Sequence, residues 1–185
     1  LIIFSILLIC VIFLSRNLMY FRDYSIIMDG AYRISQGYLP YKDFGLPLGP
    51  ISFYLPSLFI SIFGNNFLSI QLSQIVLNIF LLIIIHQILR EINANKIELY
   101  AGIFSFSIFY LILITNPWYN VTAIFFYFLS ILFILKKSNY QHFLSGIVCG
   151  LCVFTKQDYA FFTLFTVSGI IFFTKLKITG ELISS

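Results

Sequence analysis

Three carboxylates, Asp23, Asp29 and Asp43, and three cations, Arg22, Arg33 and Lys42, share one polar stretch that ends at Gly49-Pro50. A carboxylate held near a hydroxyl acceptor serves as a general base. Cations at a membrane surface hold a phosphate and stabilise it as it leaves. Tyr24, Tyr32, Tyr38, Tyr41 and Phe44 lie among these charges and offer aromatic faces to sugar rings. A second polar group, Lys156-Gln157-Asp158, interrupts two apolar runs. The plainer alternatives are a solvated loop for the first group and a snorkelling lysine paired with Asp158 for the second.

The remaining chemistry-bearing residues carry less. The sequence holds no GxxxxGK[ST], GxGxxG or HExxH pattern and no paired metal-ligand spacing, so neither ATP-driven transport nor a metal centre is indicated. His86 reads as a polar residue near a helix end and His142 as a surface residue. Cys10, Cys149 and Cys152 lie in apolar runs, which argues against a disulfide framework. Cys149 and Cys152 read as small residues at a helix contact, with Gly146 and Gly150 as a close-approach face. Asn120-Val121-Thr122 matches a glycosylation sequon by chance of position, at a span boundary.

These groups need elements to position them, and the composition says that those elements face lipid. The 185 residues are 60% hydrophobic and 10% charged. Mean hydropathy is +0.98. A soluble domain carries about 25% charged residues. The net charge of +4 is therefore a matter of membrane orientation, not of nucleic-acid binding. The expected class is an all-α membrane protein, a polytopic transmembrane helix bundle. We expect spans at 1–14 (truncated), 67–89, 99–115, 118–135, 141–155 and 159–174, forming a single N-terminal transmembrane module of a larger protein. Residues 15–66 form an outward loop with a short helix over Ser25–Ser35, ended by Gly37. Within that loop, residues 51–63 form a juxtamembrane helix: as a helix they rise about 20 Å, against a hydrocarbon core of about 30 Å.

Orientation follows from the short connections. Arg90 with Lys96, Lys136 with Lys137, and Lys175 with Lys177 fall on one face, which the positive-inside rule makes cytoplasmic. The polar loop and Lys156 then face outward. The arms around Lys156 are about 16 residues each, about 24 Å, which sets Lys156 at the outer boundary, level with a lipid phosphate. A charge at that depth is costly unless it faces protein, water or ligand.

The order of these features resembles the N-terminal module of GT-C-type polytopic glycosyltransferases. Relatives of that type are the protein O-mannosyltransferases, the aminoarabinose transferase of lipid A and the rhizobial lipopolysaccharide transferases. The segments that carry the resemblance are Asp23…Gly37-Tyr38-Leu39-Pro40-Tyr41-Lys42-Asp43-Phe44, Gly49-Pro50…Phe63-Gly64, Pro117-Trp118-Tyr119-Asn120 and Phe154-Thr155-Lys156-Gln157-Asp158. The resemblance implies an inverting transfer of sugar from a polyprenyl-phosphate donor to an acceptor hydroxyl on a glycan, lipid or protein. It places this on the outer face of a bacterial inner membrane, in cell-envelope, lipopolysaccharide or glycan biosynthesis. It implies Asp23 as the catalytic carboxylate, with Asp29 as runner-up and Asp43 as a second site carboxylate. Some relatives carry a Lys before the Pro of the next helix, and Leu46-Pro47-Leu48-Gly49-Pro50 has none. Lys156 is the best substitute as phosphate contact, with Arg33 and Lys42 behind it and Gln157 and Tyr41 in support. No cofactor beyond the lipid-linked donor is implied; the resemblance leaves a divalent metal open without indicating one. The competing readings are a lipid-linked oligosaccharide flippase and a non-catalytic scaffold. Transporters place ionisable groups near the midplane and interrupt helices there. Here mid-span positions read as almost wholly apolar, which favours interfacial chemistry.

Overall fold

The structure, a computed structural model, describes residues 22–46, 48–107, 119–136 and 138–183, with side chains described from residue 25 to residue 173 of these. The expected span at 1–14 and the Asn116-Pro117 turn lie outside the described residues. Seven helices make up the described chain, with no strand beyond one isolated bridge between Pro40 and Phe44. They are α1 (Arg22–Ser35), α2 (Ile51–Phe63), α3 (Phe67–Glu91), α4 (Lys96–Phe106), α5 (Tyr119–Leu135), α6 (Asn139–Val153) and α7 (Gln157–Ile183).

Helix α1 is described from Arg22 and so includes residues ahead of the expected Ser25. Asp23 lies on this helix. The helix ends as expected: Gly37 takes φ 88°, and the Tyr38 amide donates back to the Arg33 carbonyl at 3.1 Å. Helix α2 has 13 residues and buries Ser52, Phe53, Pro56, Ser57 and Ile60. Gly30 of α1 lies against Phe53, and a Cβ there would stand 2.7 Å from the ring. Ile27, Ala31, Phe53, Ile60 and Ile70 close the core that joins α1, α2 and α3.

Helix α3 has 25 residues and starts at Asn66, whose side chain accepts from the Ser69 amide at 3.0 Å. At about 1.5 Å per residue it is about 37 Å long. It is the one helix among the described residues that is both long and apolar enough to cross a membrane. Its inward face corrects the apolar mid-span reading. Gln71, Gln74 and Asn78, one helix face by spacing, are all buried. Gln71 Nε2, Gln74 Nε2, Asn78 Oδ1 and Ser52 Oγ have no hydrogen-bond partner among the described residues. Hydrophobicity averaged along a span conceals a row that occupies a single face.

Helix α4 begins at a capping box. Asn95 Oδ1 accepts from the Ile97 and Glu98 amides at 2.9 and 3.0 Å, and Glu98 Oε2 accepts from the Asn95 amide at 2.8 Å. That local signature starts the helix at Lys96, ahead of the apolar run at 99.

Helices α5, α6 and α7 pack together through small polar residues. Ser145 Oγ donates to the Ser130 carbonyl at 2.9 Å, Thr163 Oγ1 donates to Cys152 Sγ at 3.5 Å, and Tyr127 and Thr166 hydroxyls meet at 3.2 Å. Cys149 and Cys152 are buried at this contact. Gly146 and Gly150 are not part of it: both are exposed, and nothing lies within 4 Å of a Cβ built on either. The packed face carries Ser145, Val148, Cys149 and Cys152, so the close-approach face is displaced from the glycines.

Candidate functional site

Two parts of the chain far apart in sequence form one cleft. The Tyr41–Pro50 segment packs against the α6–α7 turn, and a cleft of about 570 Å³ opens between them. It is lined by Tyr41, Leu48, Gly49, Phe154, Lys156 and Gln157, among others. The two segments touch through backbone. The Ile51 amide donates to the Phe154 carbonyl at 3.3 Å. A Cβ on Gly49 would overlap that same carbonyl, so only glycine admits this approach.

Lys156 is the centre of the cleft's polar side. Its Nζ donates to Asn120 Oδ1 at 3.0 Å and stands 3.5 Å from Asp158 Oδ2. The same ammonium lies 5.3 Å from the ring centroid of Tyr119 and 5.5 Å from that of Tyr159. The Lys156 side chain is 21% exposed, whereas that of Asp158 is 71% exposed. Lys156 is therefore held from below by α5 and capped from above by a carboxylate that water reaches freely. It precedes the first turn of α7, whose amides and dipole favour an anion at the same point. Asn120 is itself buried, which removes the sequon from the surface.

On the facing side the loop is shaped by Asp43. Its Oδ2 accepts from the Leu39 amide at 2.8 Å, and its own amide donates to the Leu39 carbonyl at 2.9 Å. This closes a turn in which Tyr41 takes φ 64°, uncommon for a residue with a side chain. Tyr41 Oη then donates to the Leu48 carbonyl at 2.6 Å, which places the ring at the cleft.

The sequence candidates divide. Tyr41, Lys156 and Gln157 meet in the cleft. Asp29 and Arg33 pair with each other one turn apart on α1 at 2.9 Å, with side chains 60% and 47% exposed. Asp29 also holds the Arg33 guanidinium above its ordinary pKa, through the hydrogen bond first and its charge second. Arg33 lies 5.7 Å from the Phe44 ring centroid. Lys42 is exposed on the turn. The Asp23 side chain lies outside the described ones. Among the described residues no three His, Cys, Asp or Glu side chains gather as a metal site would need. Asn120 carries no signal in the sequence, beyond the sequon and its place after Pro117-Trp118-Tyr119, that would mark it as the partner of Lys156. Nor does the sequence mark Gly49 as the contact that joins the two segments.

Residues 47–180 match the sequence profile of the family described as dolichyl-phosphate-mannose-protein mannosyltransferase. The chain belongs to this family. It is therefore a GT-C-like glycosyltransferase chain of the mannosyltransferase type, associated with membranes. The family match takes in Gly49, Asn120, Lys156 and Gln157 and leaves Asp23, Asp29, Arg33, Tyr41, Lys42 and Asp43 before its start. Neither the curated proteins nor the solved structures contain a match.

Proposed function

We propose that the chain transfers a sugar from a polyprenyl-phosphate-linked donor to an acceptor hydroxyl at the outer face of a bacterial inner membrane, through a multi-pass bundle. The observation that carries this reading is the cleft between the Tyr41–Pro50 segment and the Lys156 turn. It joins a partly buried ammonium to an aromatic face, the two groups that a sugar phosphate asks for.

In this mechanism the donor phosphate displaces the exposed Asp158 carboxylate from Lys156, while Asn120 keeps the ammonium in place. Gln157 and the first turn of α7 supply further donors. Tyr41 offers its face to the sugar. The Asp23 carboxylate takes the proton from the acceptor hydroxyl as its oxygen forms a bond to the anomeric carbon. The bond from that carbon to the phosphate oxygen breaks, and polyprenyl phosphate leaves with the electron pair, its charge met by Lys156. One displacement with one base gives inversion. Asp29, paired with Arg33, is the second choice as base. Asp43 acts by shaping the loop.

The flippase reading gains one observation, the polar row on α3. The void beside it, lined by Ser52, Gln74 and Thr122 among others, measures about 10 Å³, roughly one water and far below a sugar. That favours transfer over translocation.

The test is transfer of radiolabelled sugar from polyprenyl-phosphate-sugar donors by membranes carrying the protein, against its Asp23→Asn variant. Transfer to an acceptor that requires Asp23 supports both the reaction and the base. Near-normal transfer by Asp23→Asn removes the base assignment. Donor binding without transfer by the unaltered protein turns the reading to a flippase or scaffold.

A further inference from the structure

A second concavity lies where α3 ends and α4 begins. It measures about 540 Å³ and is lined by His86, Arg90, Asn93, Ala94, Lys96, Leu99 and Tyr100. His86 and Arg90 are one turn apart on α3, and Lys96 opens α4, so three nitrogen-bearing side chains from two helices line one notch. The lining contains no acid. The nearest carboxylate of α4, Glu98, is turned to the Asn95 amide at 2.8 Å. Arg90 and Lys96 make no ion pair among the described residues. Apolar side chains adjacent in sequence to lining residues are exposed, Ile92 at 56% and Ile97 at 80%, and Tyr100 of the lining itself is 62% exposed.

We propose that this notch binds the phosphate headgroup of an anionic membrane lipid. A soluble phosphate would be met by the cations alone. A phospholipid also gives exposed Ile92 and Ile97 an acyl region to enter and Tyr100 an interface to occupy. The position fits, because the notch terminates the one described helix long and apolar enough to cross a membrane. The α4 amides of Ile97 and Glu98 are already taken by Asn95, so the side chains, not the helix end, carry the recognition. Basic loops at this level lie on the cytoplasmic face by the positive-inside rule, where anionic lipid is plentiful. The site stands apart from the Lys156 cleft, and its test does not read sugar transfer.

The experiment is native mass spectrometry of the purified protein, delipidated in neutral detergent and titrated with phosphatidylglycerol or phosphatidylcholine. The expected result is preferential retention of phosphatidylglycerol, which the double variant Arg90→Gln/Lys96→Gln lowers by about 10- to 30-fold. A control, Lys136→Gln/Lys175→Gln, removes the same charge elsewhere and keeps the preference. Equal retention of the two lipids overturns the proposal, as does an equal loss in the control. Displacement of phosphatidylglycerol by an equal concentration of inorganic phosphate or glycerol phosphate overturns the lipid source and leaves a soluble phosphoryl site. Arg90 and Lys96 are exposed, so the fold is expected to survive. Should the double variant aggregate, Arg90→Gln alone gives the same test with a smaller drop.

Discussion

Lys156 and Arg33 are both cations beside an aspartate, yet their surroundings differ. Arg33 meets Asp29 on an open helix face where both side chains are about half exposed. Water screens such a pair, and its energetic weight is small. Lys156 is mostly enclosed, fixed from α5 by Asn120, flanked by two tyrosine rings, and opposed by a carboxylate that is itself exposed. A charge so placed keeps most of its field for whatever enters the cleft. Burial and a dispensable counter-ion, rather than the density of charge in the sequence, distinguish a site from a solvated surface.

The comparison is broken most directly by removing the enclosed charge. Lys156→Gln is expected to lower sugar transfer by about 10²- to 10³-fold, the usual scale for losing one group that stabilises developing charge. Its assay is initial rate against donor concentration in membranes that hold equal amounts of protein. A change of less than about threefold would place the leaving phosphate elsewhere.

Gly49→Ala tests the joint rather than the charge. The new methyl meets backbone at Phe154, which cannot rotate away as a side chain can. Overpacking of this kind costs about 1–3 kcal/mol. A shift of about 1 Å between loop and turn costs up to about 10²-fold in rate. The thermal midpoint and the transfer rate are expected to fall together. An unchanged midpoint would mean that the two segments do not touch in the membrane.

The two regions were not equally legible in the sequence. The helical class, the stop at Gly37, the helix over Ile51–Phe63 and the candidate importance of Lys156 follow from local signals: periodicity, glycine, proline and a charge in an apolar setting. The contact of Gly49 with Phe154 does not, because two segments about a hundred residues apart share no local pattern. Asn120 was obscured in the same way: the residue is ordinary until Lys156 stands 3.0 Å from it. The dense charges of the first loop drew attention through composition, which counts charges but does not tell an exposed pair from an enclosed one. The glycines of α6 misled for a related reason. Spacing identifies a face, and only packing says which face is used.

Asn120→Ala sharpens the comparison. It removes the partner that fixes Lys156 and leaves the charge. A hydrogen bond to a charged group contributes about 1.5–3 kcal/mol. Since the ammonium retains Asp158 and the two rings, the expected loss is at the lower end, about tenfold in transfer, chiefly through weaker donor binding. Rates at saturating donor should recover most of the activity. If saturating donor restored nothing, Asn120 would have to act on the transition state itself.

Arg33→Gln is the smallest effect and closes the comparison from the other side. It deletes a cation of equal charge from the same protein and breaks an ion pair that is shorter, at 2.9 Å, than that of Lys156 with Asp158, at 3.5 Å. If pair distance governed importance, Arg33 would matter more. If enclosure governs it, the released Asp29 carboxylate is simply hydrated, and neither thermal midpoint nor transfer rate moves beyond experimental scatter. The variant also separates two carboxylates, because Asp29 loses its only described ion-pair partner and becomes available as an alternative base. A rise in residual transfer when Arg33→Gln is added to Asp23→Asn would assign that role to Asp29. No rise would leave the α1 pair as surface, and the enclosed lysine as the cation that the chemistry uses.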